Sequence, residues 1–441
     1  MRGTPGSADD PRGITRVVIV GAGFAGVACA KRLAGEPRAR VTLFDSRGYH
    51  QFQPLLYQVA TAELAPADIR FDLSGMFARH PNVEARTAEV VSLDPATPSV
   101  TLADAGTVEA DILVLGVGAQ PNFFHTPGAE EFALPLYSLD DAERVRARLL
   151  GLFRDAAAGP GPAGEDALTV VVVGAGPTGV ETAGAVAELA RDVMPHRYPD
   201  LPAAAARVVL VDLEHTVLPP FSDRAHAYAA EQLRRRGVEL RLGVPVKEVT
   251  GERVVLGDGT VIRTRLVIWG GGEMAAPLAF RSGLPQGRGG RIDVRPDLTV
   301  PGYPAVYALG DTANVPDTDG SPLPQLGSVA QQTGEWAARN IIAGIEGDDR
   351  QPFRYKDKGI MAMIGRKAAV AEIGPHRHEL DGRFAFAAWL GVHAHLLADA
   401  GAEMKAFLAW AEDFYLRPGH RSAALLDPST IDTPRIDWSG G

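Results

Sequence analysis

Gly21, Gly23 and Gly26 follow the β-branched run Val17-Val18-Ile19-Val20 at once, and residues 27–33 continue in a helical pattern. A pyrophosphate can be met there by unpaired amides at a helix N-terminus, provided that no side chain stands between backbone and ligand. In the loop Gly21-Ala22-Gly23-Phe24-Ala25-Gly26, the first glycine allows the tight turn, the second the close approach and the third the packing of helix on strand. Asp45, 19 residues beyond Gly26 at the end of Arg40-Val41-Thr42-Leu43-Phe44, is the carboxylate expected to accept ribose hydroxyls. The same design recurs as Thr169-Val170-Val171-Val172-Val173, then Gly174-Ala175-Gly176-Pro177-Thr178-Gly179, with Asp212 closing Arg207-Val208-Val209-Leu210-Val211. A carboxylate at Asp212 accepts from a ribose 2′-hydroxyl and repels a 2′-phosphate, and no arginine follows closely to receive one, so the expected ligand is NADH, not NADPH. The plain alternatives are a glycine-rich corner at the first loop and a turn opening at Asp212.

Two strand-loop-helix openings imply two similar dinucleotide-binding domains and an α/β fold with Rossmann-like parallel sheets. A length of 441 residues suits two or three domains. Residues 156–166, with Gly-Pro-Gly-Pro-Ala-Gly, read as a linker, and 191–206 as an insertion that lengthens the path to Asp212. Residues 384–416 read as mainly helical, with Met404, Phe407, Leu408, Ala411 and Phe414 at three-to-four spacing before the stop Arg417-Pro418-Gly419.

The net charge of −10, without a basic block, argues against nucleic acid as a partner. Cys29 is the only cysteine, so neither a disulfide nor a redox dithiol is available within the chain, and a reducing compartment is expected. The polar segment 1–12 lacks the apolar core of a signal peptide, and no run approaches the length of a membrane span. No metal is expected: His393 and His395 are two apart on a helical pattern, and His376 and His378 read as a surface loop.

Two further segments end in small residues: 111–121, an apolar strand running into Gly116-Val117-Gly118, and 299–311, closing in Gly310-Asp311. Together with the two loops they resemble the two-dinucleotide flavoproteins. That resemblance implies FAD at the first loop, with Asp311 near the ribityl chain, NADH at the second, and the NADH domain inserted into the FAD domain. The corresponding domains are 14–122 and 282–374 for FAD, 123–281 for NADH, and a helical C-terminal segment 375–441.

Within those flavoproteins, one cysteine excludes the disulfide reductases and the sulfide:quinone reductases. Tyr49-His50-Gln51-Phe52-Gln53-Pro54-Leu55-Leu56-Tyr57-Gln58-Val59-Ala60-Thr61, Asp68-Ile69-Arg70, Gly176-Pro177-Thr178-Gly179-Val180-Glu181, Tyr355-Lys356-Asp357-Lys358-Gly359, Ile364-Gly365-Arg366 and Trp389-Leu390 with Val392-His393 resemble segments of the type II NADH:quinone oxidoreductases. The match runs from about residue 14 to 420. It implies hydride transfer from NADH to FAD and passage of two electrons to a quinone, with neither metal nor proton pumping. Gln53 and Gly118 count among the flavin contacts on the same ground.

Glu181, two residues past the last glycine, has two readings: a favourable charge at a helix N-terminus, or, by the resemblance, a carboxylate near nicotinamide and flavin that orients the hydride donor or helps move a proton. At the expected quinone site the family shows two glutamines. Gln332 keeps the second, whereas Ser328 replaces the first. Gln332 and the segment 52–57 are expected as walls of that site. The C-terminal segment departs from the family's basic, apolar tail, carrying Asp399, Glu403, Glu412 and Asp413 against Lys405. Trp389, Phe407, Trp410 and Tyr415 there suit contact with a bilayer, burial against the body or a homodimer. The expected location is cytoplasmic, with peripheral contact at the inner face of the membrane left open. Two other functions stay open at this point: a soluble NADH-dependent flavin oxidoreductase using a small quinone-like or biosynthetic acceptor, favoured by Ser328 and the acidic C-terminus, and an NADH-binding redox sensor.

Overall fold

The structure, a computed structural model, describes residues 13–104, 106–158, 168–201, 206–396 and Leu426. Its contacts divide the chain into two compact units. The first comprises Met1–His50, Phe71–Gln120 and Glu273–Lys356, and the second Gln51–Arg70, Pro121–Gly272 and Asp357–Gly441. The second sheet is thus inserted in the chain of the first.

The first unit is built on a six-stranded sheet in the order Thr299–Val300, Tyr303–Ala308, Ile112–Leu115, Thr15–Val20, Ala39–Asp45, Val83–Thr87. Every pairing is parallel except the edge hairpin of 299–308. A parallel strand covered on both faces needs a continuous apolar run, and Val17-Val18-Ile19-Val20 is buried throughout. The helix Phe24–Leu33 packs on the helix Gly327–Glu346. Their close approach needs Gly334, where a β-carbon would collide with the Ala25 carbonyl.

The second unit holds a five-stranded, wholly parallel sheet in the order Ala133–Pro135, Leu266–Trp269, Thr169–Val173, Arg207–Asp212, Val238–Leu242. Thr169–Val173 is buried along its whole length. A second, antiparallel sheet of Gly359–Gly365, Ala368–Ile373 and His378–Asp381 leads into the helix Gly382–Leu396. Its first strand lies tightly on the helix Pro177–Glu188, because Gly184 leaves room for the Ile364 carbonyl where a β-carbon would collide. The helix Leu56–Ala60 packs on Leu139–Ala157 and on Pro177–Glu188. The helical expectation for 384–416 is met as far as Leu396; Asp399, Glu403, Met404, Lys405, Phe407, Trp410 and Tyr415 lie outside the described residues.

Candidate functional site

In the first unit the strand Thr15–Val20 stops at Gly21, whose φ of +98° is a left-handed conformation that favours glycine. A β-carbon at Gly21 would strike the Gly116 carbonyl, and one at Gly26 the Gly21 carbonyl. At Gly23, in contrast, a β-carbon would meet no heavy atom within 4 Å. Gly21 and Gly26 are therefore required by packing, while Gly23 opens on free space at the N-terminus of the helix Phe24–Leu33. Ala22 is held from both sides: its N–H donates to the Asp45 carboxylate at 2.7 Å, and its carbonyl accepts from His50 Nδ1 at 2.8 Å. Asp45 also accepts from the Arg47 N–H at 2.8 Å, and burial raises its carboxyl above the usual range. Phe24 meets His50 edge to face at 5.3 Å, and Ala25 is buried.

The second loop repeats this construction. Gly174 has φ +103° and faces the Gly270 carbonyl, Gly179 faces the Gly174 carbonyl, and Gly176 again has open space. The Ala175 N–H donates to the Asp212 carboxylate, and the Ala175 carbonyl accepts from the Leu218 N–H at 2.7 Å. Pro177 occupies the first turn of the helix Pro177–Glu188, where a missing N–H costs nothing. The Thr178 carbonyl accepts from Thr182 Oγ1 at 2.6 Å. Both sequence-derived acids thus lock the loop they follow, a role beyond the one that spacing suggests.

The two remaining passes of the first unit meet at Gly118, whose N–H donates to Thr312 Oγ1 at 2.8 Å and whose carbonyl accepts from the Ala276 N–H at 3.3 Å. Gly310, with φ +57°, donates to Thr333 Oγ1 at 3.1 Å. Next to it, Asp311 Oδ1 is buried without a hydrogen-bond partner among the described residues. Burial pushes this carboxyl up to about 6, against the pull of Arg291. Glu273, at the start of the strand Glu273–Ala275, was not singled out from the sequence. It is exposed, and the charge of the nearby Asp311 acts on it. A lone glutamate after three glycines carries no sequence signal that would have found it.

In the second unit Glu181 is buried, and its Oε1 accepts from the Met363 N–H at 3.1 Å. Its carboxyl is turned to the neighbouring strand, so the structure gives it more than the helix N-terminal role. Burial pushes it up to about 8, opposed by the Met363 N–H. Trp389 is fully buried, which settles its place among the openings left by the sequence. His393, set aside as a metal ligand, stacks on Trp389 with ring centres 3.9 Å apart. Gln53 Nε2 donates to the Tyr137 carbonyl at 3.4 Å. Among the described residues no group of three or more His, Cys, Asp or Glu could hold a metal ion, and Cys29 is buried with its thiol pushed up to about 12.

Gln332 and Ser328 lie on the helix Gly327–Glu346 of the first unit. The Gln332 amide grips the backbone of Lys356 twice, donating to its carbonyl at 3.1 Å and accepting from its N–H at 3.0 Å. Ser328 Oγ and the Tyr355 hydroxyl are 2.8 Å apart. One helix turn therefore fixes Tyr355-Lys356, an engagement that the sequence did not reveal.

The model of the pyridine nucleotide-disulphide oxidoreductase family matches residues 15–334. The type II NADH:quinone oxidoreductase Ndh of Mycobacterium tuberculosis is 36% identical over 414 residues, spanning 90% of this chain and 88% of that protein. The type II NADH:quinone oxidoreductase of Haemophilus influenzae is 25% identical over 418 residues, spanning 86% and 94%. Among solved structures, NDH2 from Plasmodium falciparum in complex with NADH superimposes with a TM-score of 0.84 over 92% of this chain and 99% of that one, at 19% identity, a likeness of fold. Both the doubled loop and this end-to-end similarity lead to one assignment: the chain belongs to the pyridine nucleotide-disulphide oxidoreductases and, among them, to the type II NADH:quinone oxidoreductases.

Proposed function

We propose that this protein takes hydride from NADH and passes two electrons to a quinone, with FAD as its cofactor. The observation that carries the reading is the presence, in one chain of this family, of two glycine loops that each open on free space at a helix N-terminus. FAD, when bound, supplies a carrier that accepts two electrons as hydride and releases them to a second substrate. The residues of the first unit fit it: Gly23 leaves room for a pyrophosphate at the amides of Phe24, Ala25 and Gly26, and the orphaned Asp311 Oδ1 suits a ribityl hydroxyl as donor. Asp45 keeps accepting capacity for a ribose, since each of its oxygens serves one backbone N–H. Gly118 and Gly310 complete the proposed flavin contacts of this unit.

In the second unit Gly174, Gly176, Pro177, Thr178 and Gly179 would receive the NADH pyrophosphate, and Asp212 its ribose. Glu181 would stand by the nicotinamide as a carboxyl that keeps its proton near neutral pH, so it can donate a hydrogen bond without adding charge. Gln332 and Ser328 would face the quinone, whose carbonyl oxygens gain charge on reduction and need donors. A homodimer and peripheral contact at the cytoplasmic face of a membrane go with this reading. No described helix is long and apolar enough to cross a membrane, while Phe384, Val392 and Leu396 expose apolar surface on Gly382–Leu396 that serves either contact.

The test is NADH oxidation by the purified protein with short-chain quinones, followed alongside the flavin spectrum. Full bleaching of the flavin by NADH and its return on adding a quinone is the expected result. A folded protein that takes up no FAD would overturn the reading.

A further inference from the structure

Successive peptide planes lead into the helix Phe24–Leu33, and each is fixed by a different partner. The Gly21–Ala22 plane is held by Asp45, which accepts from the Ala22 N–H at 2.7 Å, while its carbonyl rests where a β-carbon at Gly26 would lie. The Gly23–Phe24 plane is held by the helix itself, since the Gly23 carbonyl accepts from the Val27 N–H at 3.0 Å. Between them the Ala22–Gly23 plane is held by a side chain: the Ala22 carbonyl accepts from His50 Nδ1 at 2.8 Å. A carbonyl only accepts, so the imidazole carries its proton on Nδ1. The ring is 5% exposed and confined by the edge of Phe24 at 5.3 Å and by Phe71 at 6.3 Å. Burial holds it below the usual imidazole range, so it is a neutral donor. The peptide bond is trans, and the Gly23 N–H therefore points away from the carbonyl that His50 holds.

We propose that His50 is a positioning residue for FAD: by holding the Ala22 carbonyl it turns the Gly23 N–H towards the pyrophosphate, and so sets how firmly the cofactor is retained. The proposal rests on the reading of the first glycine loop as the FAD loop. The second loop meets the same need differently, because the Ala175 carbonyl accepts from the Leu218 N–H at 2.7 Å, a backbone donor that only a proline would remove. In the first loop the task falls on one side chain, 28 residues beyond Ala22. Loss of its donor releases the middle plane alone, since the planes before and after it keep their own partners. Without FAD the released peptide can turn its carbonyl to water, and binding FAD must then turn it back and strip that water away. The loss is therefore read in cofactor affinity more than in the fold.

The experiment starts from the full-length, FAD-loaded protein and reads FAD dissociation on dilution by the recovery of flavin fluorescence, with the phosphorus NMR spectrum of the bound cofactor beside it. His50→Leu fills the place of the ring without a donor and should weaken FAD binding by about five- to hundredfold, the range for a buried acceptor left unmet. His50→Asn sets its amide N–H where Nδ1 stands and should restore most of the affinity. His50→Gln sets it where Nε2 stands, out of reach of the Ala22 carbonyl, and should bind FAD as weakly as His50→Leu. Packing alone would order the variants otherwise, with leucine the best substitute between two phenyl rings and asparagine the worst, because it leaves a cavity. The pyrophosphate resonances should move in His50→Leu and His50→Gln and return in His50→Asn. Native affinity in the variants without the donor, or no recovery in His50→Asn, overturns the proposal; should His50→Leu fail to fold, the two amide variants decide it by themselves. A native protein that takes up no FAD would instead overturn the reading of the first loop, and this proposal with it.

Discussion

Gly23 and Gly26 are three residues apart on the same loop, yet substitution should act on different properties of the protein. A β-carbon at Gly26 collides with the Gly21 carbonyl, and Gly21, at φ +98°, has little freedom to yield. Overpacking of this kind costs about 1–3 kcal/mol, and a domain of about 150–250 residues loses about 2–4 °C per kcal/mol. Gly26→Ala should therefore lower the melting temperature by about 2–12 °C. Gly23 has φ −71° and ψ −169°, open to any residue, and no atom within 4 Å of a β-carbon. Gly23→Val loses only the preference of a helix N-cap for glycine, about 1 kcal/mol or less. What it places in the open space is a branched side chain in the way of a pyrophosphate. The comparison has to be made on FAD-free proteins, because bound FAD itself raises stability by mass action. Thermal melts of the apo forms and the flavin absorbance after incubation with FAD then separate the two effects. A well-folded, colourless Gly23→Val is the expected result. Normal flavin content in that variant would show that the loop does not approach the pyrophosphate, and an unshifted melt of apo Gly26→Ala would refute the packing argument.

Asp212→Ala should weaken NADH binding by about 1–3 kcal/mol, the cost of leaving a hydrogen-bonding partner unmet, and narrow the gap to NADPH; equal use of both by the native protein would refute the assignment. Glu181→Gln should slow flavin reduction by NADH in stopped-flow at normal flavin content. The same variant tests linkage: Glu181 is raised from 4.5 to about 8 in the fold, so the native protein should lose stability relative to Glu181→Gln as pH rises from about 4.5 to 8, by about 1.4 kcal/mol per unit, and denaturant melts that stay parallel over this range would contradict it. Gln332→Ala should raise the quinone KM while leaving flavin reduction by NADH intact, and Ser328→Gln should change the preference among quinones; native behaviour of both with every quinone tested would place the acceptor elsewhere.

The repeated loops were legible because glycine spacing reports directly on backbone constraints: each of Gly21, Gly26, Gly174 and Gly179 abuts a carbonyl that forbids a β-carbon. The sheets were legible for a similar reason, since strands such as Val17–Val20 and Thr169–Val173 are covered on both faces and must be apolar without alternation. Contacts made by single side chains over long chain distances left no periodic trace. Nothing in the spacing of His50 announces that its ring supports Ala22, nor does Gln332 announce its grip on Lys356. The surroundings of Glu181 are drawn from Tyr57, Met363 and Trp389, three segments far apart in the chain. The membership of Gln51–Arg70 and of the chain from Asp357 in the second unit was equally hidden, because it follows from packing on Pro177–Glu188 and not from composition.

The likeness of the two loops limits where ligand choice can originate. In each, the central alanine gives its N–H to the acid of the next strand, and its carbonyl accepts from a group further along the chain. What the two clamps share cannot tell FAD from NADH. The discriminating features must then be those present in one unit alone. In the first unit these are the imidazole of His50 where the second has the backbone N–H of Leu218, and the orphaned Asp311 carboxyl with Glu273 near it. In the second it is Glu181, placed one turn into a helix whose counterpart in the first unit has Ala28 at the equivalent position, two residues past the last glycine. A buried carboxyl so close to the loop has no use in holding a pyrophosphate, which its charge would repel. Its raised proton affinity removes that repulsion near neutral pH and leaves a hydrogen-bond donor, which is the physical ground for the role in the chemistry, as distinct from the binding, that we propose for Glu181.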